Sequence, residues 1–552
     1  MNKTHIKQGF AIVMMSLVAF FACKPEEEIT AETRLFRPVL NKELSAKNNT
    51  IIVNMGNIKA ATGYTVEVSR DTFKTTDYTF KVDTNYVIVD ETLLKGESLY
   101  WNTTYQVRAI AHAAKVELDS KVSDLGSVKT EKFPSIMATP TAADVIDVAA
   151  RIRWTTGGVT VAKVKVFAKT DLKLATPLAQ YNVSEADQKA GSTIVSKLNP
   201  LTTYQLAIYA ADGTIKGWDN FTTISRAVDT SSPNVIDLSE NDDPTALNTA
   251  LLNVVEGGII VLKKGATYTM PVNNFAKSVT ITSAYGFGEQ KTIITTSGGG
   301  NIATGVTLDY IRFSNIEFIG ADIGGSYIFN PNIATLTTVK ELSLDNCIAS
   351  NMRGLLRIRG KFFATNFIIK NSIIHQIGTY GVLTTDTDGA GNAAVDNIIF
   401  QKSTFSKINI FLTSRQNSNS VLIEDCTLSE VATNSGSLFN WRGAAGLRNV
   451  TNGIKISNCI WGHAWDQAVT AVLAVRGKSA GLDLTNITVL NTYTTGDFSY
   501  VAGTEISGLP SFTYTKKASE LWVSPYTGLN FNFKDTSFPG RKDTGDPRWR
   551  VK

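Results

Sequence analysis

Seven short apolar strands recur through the C-terminal half of the chain, and nearly every one carries Asn or Asp at the same place. They are Phe313–Phe318, Leu344–Ile348, Ile369–Ile374, Phe400–Phe405, Ile423–Leu428, Ile456–Ile460 and Leu484–Val489, with Lys402 the one exception to the Asn/Asp rule. The marker positions are 23 to 33 residues apart, which is the length of one turn of a parallel β-solenoid with its loops. In such a fold like positions stack about 4.8 Å apart. Ile316, Cys347, Ser372, Ser403, Cys426, Cys459 and Ile487 then form one ladder, and small Cys and Ser side chains suit an inward position there. Asn315, Asn346, Asn371, Asn458 and Asn486 form an amide ladder at the turn that satisfies backbone groups.

The N-terminal part alternates on a shorter scale. From about Thr30 to Ala227, apolar/polar alternation is broken by turn residues every 8 to 12 positions, the pattern of β-sandwiches. Two stretches repeat at a spacing of 99: Leu99–Ala111, with Thr103-Thr104-Tyr105, and Leu198–Ala210, with Thr202-Thr203-Tyr204. The 552 residues leave room for several domains, and 41 Gly with abundant Val, Ile, Thr and Asn favour strands and turns. The formal charge of +5, from 54 basic and 49 acidic residues, is dispersed and argues against a nucleic-acid partner.

The Thr-Thr-Tyr motifs resemble the tyrosine corner of fibronectin type III modules, and Ile152-Arg153-Trp154 resembles their buried early-strand Trp. The resemblance implies tandem modules, 31–131 and 134–227. Their role is either spacing or ligand binding. Beyond Ser232-Pro233, Asp243-Pro244 opens a helical run from Ala246 to Val255, which Gly257-Gly258 stops before a strand and Gly265-Ala266-Thr267-Tyr268. This entry resembles the capped start of right-handed parallel β-helices of the pectate-lyase-like superfamily. The expected fold is therefore all-β: two fibronectin type III-like sandwiches, then a right-handed parallel β-helix over 234–552 with a short N-terminal capping helix.

Lys3, His5 and Lys7 precede an uncharged stretch ending at Ala22-Cys23, too short to span a bilayer but the size of a signal peptide. The end resembles a bacterial lipobox, which implies removal of 1–22 and lipidation of Cys23. Lys24-Pro25-Glu26-Glu27-Glu28 resembles the export tag of outer-membrane lipoproteins in gut glycan degraders, so 23–30 is expected to be a surface tether and the rest a soluble body. The remaining cysteines, Cys347, Cys426 and Cys459, are odd in number and lack metal-ligand spacing.

A second set of strands follows the first, at Leu355–Gly360, Val382–Asp386, Phe411–Arg415, Leu438–Gly443 and Val472–Gly477. Alternation places Leu356, Ile358, Phe439, Trp441 and Val475 inward and sends Arg359, Asp386, Arg415, Arg442 and Arg476 outward, with Arg357 beside Arg359 and Asn440 beside Arg442. Stacked guanidiniums repel unless something anionic lies across them, and Arg matches a carboxylate bidentately. A uronate chain fits such a line. The alternative is a solvated face in which Asp386 bridges Arg359 and Arg415. Asp386 and Asp388, in Asp386–Asn392, offer oxygen ligands for Ca²⁺, although Asp-Gly and Gly-Asn also suit a plain turn. The pectate-lyase resemblance implies Arg415 as base, with Asp386 and Asp388 as metal ligands, if the protein is a lyase. Paired carboxylates for a hydrolase are missing from the outward strand positions. Trp461 and Trp465, around His463, are either sugar-stacking platforms or a packed loop, and His375 and His463 are expected to be core or loop residues.

The full architecture, closing on Gly545-Asp546-Pro547-Arg548-Trp549, resembles uncharacterised outer-membrane lipoproteins of polysaccharide-utilisation systems. The resemblance implies an acidic polysaccharide of the pectin or homogalacturonan type as ligand, with an outer-membrane glycan importer and surface glycan-binding proteins or enzymes as partners. A β-eliminating polysaccharide lyase and a structural or adhesive surface protein are the other expectations. The terminal motif is expected to cap the open end of the solenoid.

Overall fold

A computed structural model describes residues 33–157, 160–288, 290–466 and 473–551. The signal peptide, Cys23 and the tether expected at 23–30 lie outside these residues. The chain divides into two compact units, Met1–Ile224 and Ser225–Lys552.

The first unit holds the two sandwiches. In the first, a sheet of Leu40–Lys47, Thr50–Met55 and Tyr86–Val89 packs on a sheet ordered Tyr78–Val82, Gly63–Ser69, Thr104–His112 and Ser123–Lys129. Ile51, Val53, Val66 and Val107, none of them exposed, meet between the two. The second repeats the four-stranded order with Pro177–Asn182, Lys163–Ala168, Thr203–Tyr209 and Ile215–Thr222, against Ala150–Arg153 and Ser192–Val195. This is fibronectin type III topology. Both tyrosine corners close as the sequence requires: the Tyr105 hydroxyl accepts the Tyr100 N–H at 2.9 Å, and the Tyr204 hydroxyl accepts the Asn199 N–H at 2.9 Å. Trp154 is buried in the second core. Between the modules, Phe133 packs edge-on against Trp101, with ring centroids 5.3 Å apart, and lies 6.3 Å from Trp218.

The second unit is a parallel β-solenoid. A helix, Ala246–Asn253, covers its first coils with Leu247 and Leu251 buried, and the Asp243 carboxylate accepts the Thr245 N–H at 2.9 Å, so the acid there serves a turn. One column of strands pairs in parallel from Val235–Leu238 through Gly258–Leu262, Val279–Ser283 and Ile311–Ser314 down to Ile454–Ser457 and Ile487–Leu490. At the end of this column each coil turns through one left-handed residue: Asn315, Asn346, Asn371, Lys402, Asp425, Asn458 and Asn491, with φ between 43° and 60°. Short polar side chains tolerate that conformation and bond locally. Asn346 donates to Asn315 at 2.7 Å, and Asn491 donates to Asn458 at 3.0 Å.

The last rung corrects the sequence alignment. Ile487 pairs with Ile454 at the start of its strand, so Asn486 comes just before the strand, and Asn491, at its end, is the turn residue. Thr492, not Ile487, therefore completes the small-residue ladder after Cys347, Ser372, Ser403, Cys426 and Cys459, all of them buried. Burial pushes the Cys347 thiol up to about 12, consistent with a packing role.

The terminal motif does not sit across the open end. It runs back along the flank of the solenoid. The Gly545 N–H reaches the Asn458 carbonyl at 2.8 Å, the Asp546 N–H reaches Thr427 at 2.9 Å, and Thr404 donates to Asp546 at 2.8 Å. Arg548 donates to the Asn371 carbonyl. Four coils are thereby tied together by side-chain and backbone bonds. A Cβ at Gly545 would lie 2.8 Å from the Thr427 hydroxyl, which is why the motif opens on glycine.

Candidate functional site

The arginine-bearing strands are set by register. Leu356, Leu383, Leu412 and Phe439 pair in succession, and the Asp386 and Arg442 N–H groups donate to the Ile358 and Ser414 carbonyls. Arg359, Asp386, Arg415 and Arg442 therefore occupy one outward column, one coil apart. A parallel column holds Arg357, Thr384, Thr413 and Asn440. Beneath them the floor is apolar and rigid, with Leu356, Ile358, Leu412, Phe439 and Trp441 all buried; the Phe439 and Trp441 rings are 6.4 Å apart.

The column is a shared ion network. Asp386 accepts from Arg357 Nε at 3.1 Å and Nη2 at 2.5 Å, from Arg415 Nε at 3.3 Å and from Arg442 Nη2 at 3.3 Å. Arg415 also donates to Asp388. Burial raises the Asp386 carboxyl, but the Arg357 hydrogen bond and the charges of Arg357, Arg442 and Arg415 together carry it below the usual carboxylate range. The Arg357 guanidinium lies 3.8 Å from the centroid of the Tyr380 ring, a cation–π contact. Arg359 is different. Its Nη2 donates to the Asn330 amide oxygen at 3.0 Å, while its Nε is buried with no hydrogen-bond partner among the described residues. Burial and the Arg357 charge hold it below the usual guanidinium pKa.

Several expected roles change. Asp386 bridges Arg357, Arg415 and Arg442, not Arg359 and Arg415. Arg476 leaves the column: it pairs with Ser437, and Arg442 lies opposite the segment after Lys478, which itself pairs with Phe439. Arg476 follows Arg442 by 34 residues, where the earlier members of the column are 27 to 29 apart, and this offsets the register that strand alternation alone suggested. Trp461 is 1% exposed and packs edge-on against Phe411 at 6.2 Å, so no sugar reaches its face. Trp465 is half-buried opposite Thr433, in the turn ahead of Ser437–Trp441. His463 Nε2 and the Tyr526 hydroxyl are 2.8 Å apart, and burial lowers His375 to about 4.

Calcium does not fit Asp386 and Asp388. Both Asp386 oxygens face guanidiniums, and Asp388 is paired with Arg415, so a divalent cation would meet three positive charges at its ligands. Among the described residues no group of three or more His, Cys, Asp or Glu has metal-site geometry. Arg415 is also poorly disposed to act as a base. The Asp388 hydrogen bond and both carboxylate charges raise its pKa, whereas a base must surrender its proton near working pH.

Sequence reasoning missed Tyr380, the platform for Arg357, and Asn330, the partner of Arg359. Asn330 was open to discovery, because it stands one coil before Arg357 at the same register: Phe329 pairs with Leu356.

A family model described as "Domain of unknown function (DUF4957)" matches residues 266–408. The match includes Arg357, Arg359, Asp386 and Asp388 and stops short of Arg415 and Arg442. No curated protein matches the chain. Among solved structures, the FN1–FN3 domains of chicken CNTN1 are similar at 14% identity and a TM-score of 0.16, covering 35% of this chain and 66% of that one. A two-domain fibronectin type III segment of chicken tenascin is similar at 17% identity and a TM-score of 0.16, covering 34% of this chain and 99% of that one.

Proposed function

We propose that this chain is a surface-exposed lipoprotein, anchored to the outer membrane through Cys23, whose solenoid binds an acidic polysaccharide of the pectin type for a glycan-uptake system. The observation that carries the reading is the charge balance of the column. Among the described residues Arg357, Arg359, Arg415 and Arg442 oppose only Asp386 and Asp388, so four cations less two anions leave +2 on one outward face. The cations stand on successive paired strands over a buried apolar floor, which lowers the ordering cost of engaging a polyanion. The lipid and the two sandwiches would hold this face out from the membrane, within reach of an outer-membrane importer and partner glycan-binding proteins or enzymes.

A lyase acting on the same glycan is the weaker reading, because its expected base, Arg415, is ion-paired to two acids. Calorimetric titration of the lipid-free protein, residues 24–552, with polygalacturonate separates the classes. Saturating heat that ends after each injection supports binding. Continuous heat scaling with protein concentration identifies a lyase, and no heat removes acidic pectin as the ligand.

A further inference from the structure

The outer face of the second sandwich carries aromatic and amide side chains that neither sandwich core uses. Tyr204, Leu206 and Phe221 point into the core, so strand alternation sends Gln205, Trp218 and Asn220 outward, with Gln205 paired directly to Asn220 across the strands. Gln205 is only 6% exposed, and both ends of its amide hold position. Its Oε1 accepts the Trp218 indole N–H at 2.9 Å, and its Nε2 donates to the Lys169 carbonyl at 3.1 Å. The indole is thereby fixed. Trp101 and Asn102 of the first sandwich and Phe133 of the linker complete a cleft of about 410 Å³, measured to its open mouth. Trp101 and Trp218 are half-buried there. Asn102 spends its backbone N–H on the Glu131 carbonyl and Asn220 its own on Asp219, while neither side-chain amide has a hydrogen bond among the described residues. Lys132 and Asp219, 3.8 Å apart, also line the cleft and cancel in charge.

We propose that this cleft is a second glycan site, one that takes a neutral sugar unit. Indole rings offer an apolar surface to the C–H face of a sugar ring, and the two open amides supply both donors and acceptors for its hydroxyls. A uronate gains no net attraction, because the one cation of the cleft is matched by the one carboxylate beside it. Gln205 and Phe133 hold the rings before a ligand arrives, which lowers the ordering cost of binding. Packing of the two sandwiches on each other accounts for Phe133, which meets both indoles. It does not account for two open amides beside them, or for a buried glutamine committed to fixing an indole. The site is independent of the arginine row and of the acidic-glycan reading; an acidic polysaccharide bearing neutral branches presents a ligand to each.

The test is calorimetric titration of the lipid-free protein with tetrasaccharides of galactan, arabinan, xylan, mannan and cellulose, alongside polygalacturonate. Saturable binding of at least one neutral tetrasaccharide is expected. Trp101→Ala should weaken it about tenfold and Asn220→Ala about fivefold, with polygalacturonate affinity unchanged in both. Asn220 is exposed, so its variant decides the matter if Trp101→Ala lowers the melting temperature. No binding of any neutral tetrasaccharide overturns the site and leaves the acidic-glycan reading standing. Neutral-sugar binding that Asn220→Ala does not weaken assigns it to other residues and overturns the site as well. A polygalacturonate affinity that falls with Asn220→Ala gives the cleft to uronates and overturns its neutral specificity.

Discussion

The sandwiches and one face of the solenoid handle arginine in opposite ways, although the solenoid also holds private pairs such as Arg312 with Glu341 at 2.6 Å. In the sandwiches the pairs are private: Arg70 with Asp77 at 2.7 Å, Arg108 with Glu67 at 2.5 Å and Arg153 with Asp144 at 2.7 Å. On that face three arginines share one carboxylate, two of them at 3.3 Å, and a fourth has no acid partner among the described residues. Private pairs are self-sufficient and need no ligand. A shared, under-neutralised row retains donor capacity, and a strand scaffold that fixes the guanidiniums prevents them from relaxing apart.

Substitutions that make the two regions alike test that contrast. The largest effect is expected at Asp386, whose side chain is 14% exposed. Asp386→Asn strips the shared anion from three guanidiniums and should lower stability by about 3 kcal/mol, read as a drop in the denaturant midpoint of the solenoid transition. The pH dependence follows the same group. Its folded pKa is depressed, so its contribution is complete above the ordinary carboxylate pKa and is lost as pH falls through the lower folded value. Acid titration of wild type should show a loss of solenoid stability below about pH 4 that is smaller in Asp386→Asn.

A smaller effect belongs to Asp388, 59% exposed at the side chain. Asp388→Asn releases Arg415 from its outer partner, and polyuronate affinity should rise several-fold while stability stays within about 1 kcal/mol. Smallest of all is Arg70→Ala in the first sandwich. Its exposed ion pair is worth about 0.5 kcal/mol, and glycan affinity should not change; a loss of affinity there would mean that the sandwiches take part in binding.

What could be read from the sequence follows from how local each feature is. The tyrosine corners were legible because a Thr-Thr-Tyr motif closes on backbone only five residues upstream. The turn ladder was legible because left-handed residues favour Asn and Asp, and even Lys402 obeys the geometry, with φ at 51°. Strand alternation placed Arg359, Asp386, Arg415 and Arg442 correctly because the coils between them are similar in length. It failed for Arg476 and Asn486, where a loop or a late turn offsets the count. Asp386 chooses Arg357 over Arg359 by diagonal side-chain reach between coils, which no one-dimensional pattern encodes. The route of Asp546 and Arg548 back to Thr404 and Asn371 spans more than 140 residues of sequence, and the motif carries no local sign of it.

The central claim is that the under-neutralised arginine row holds an acidic glycan. It is tested most directly by titrating polygalacturonate into the double variant Arg359→Gln/Arg442→Gln beside wild type, with both melting temperatures recorded. The account predicts saturable binding to wild type that is abolished in the double variant at an unchanged melting temperature. Equal affinity in the two proteins would contradict it.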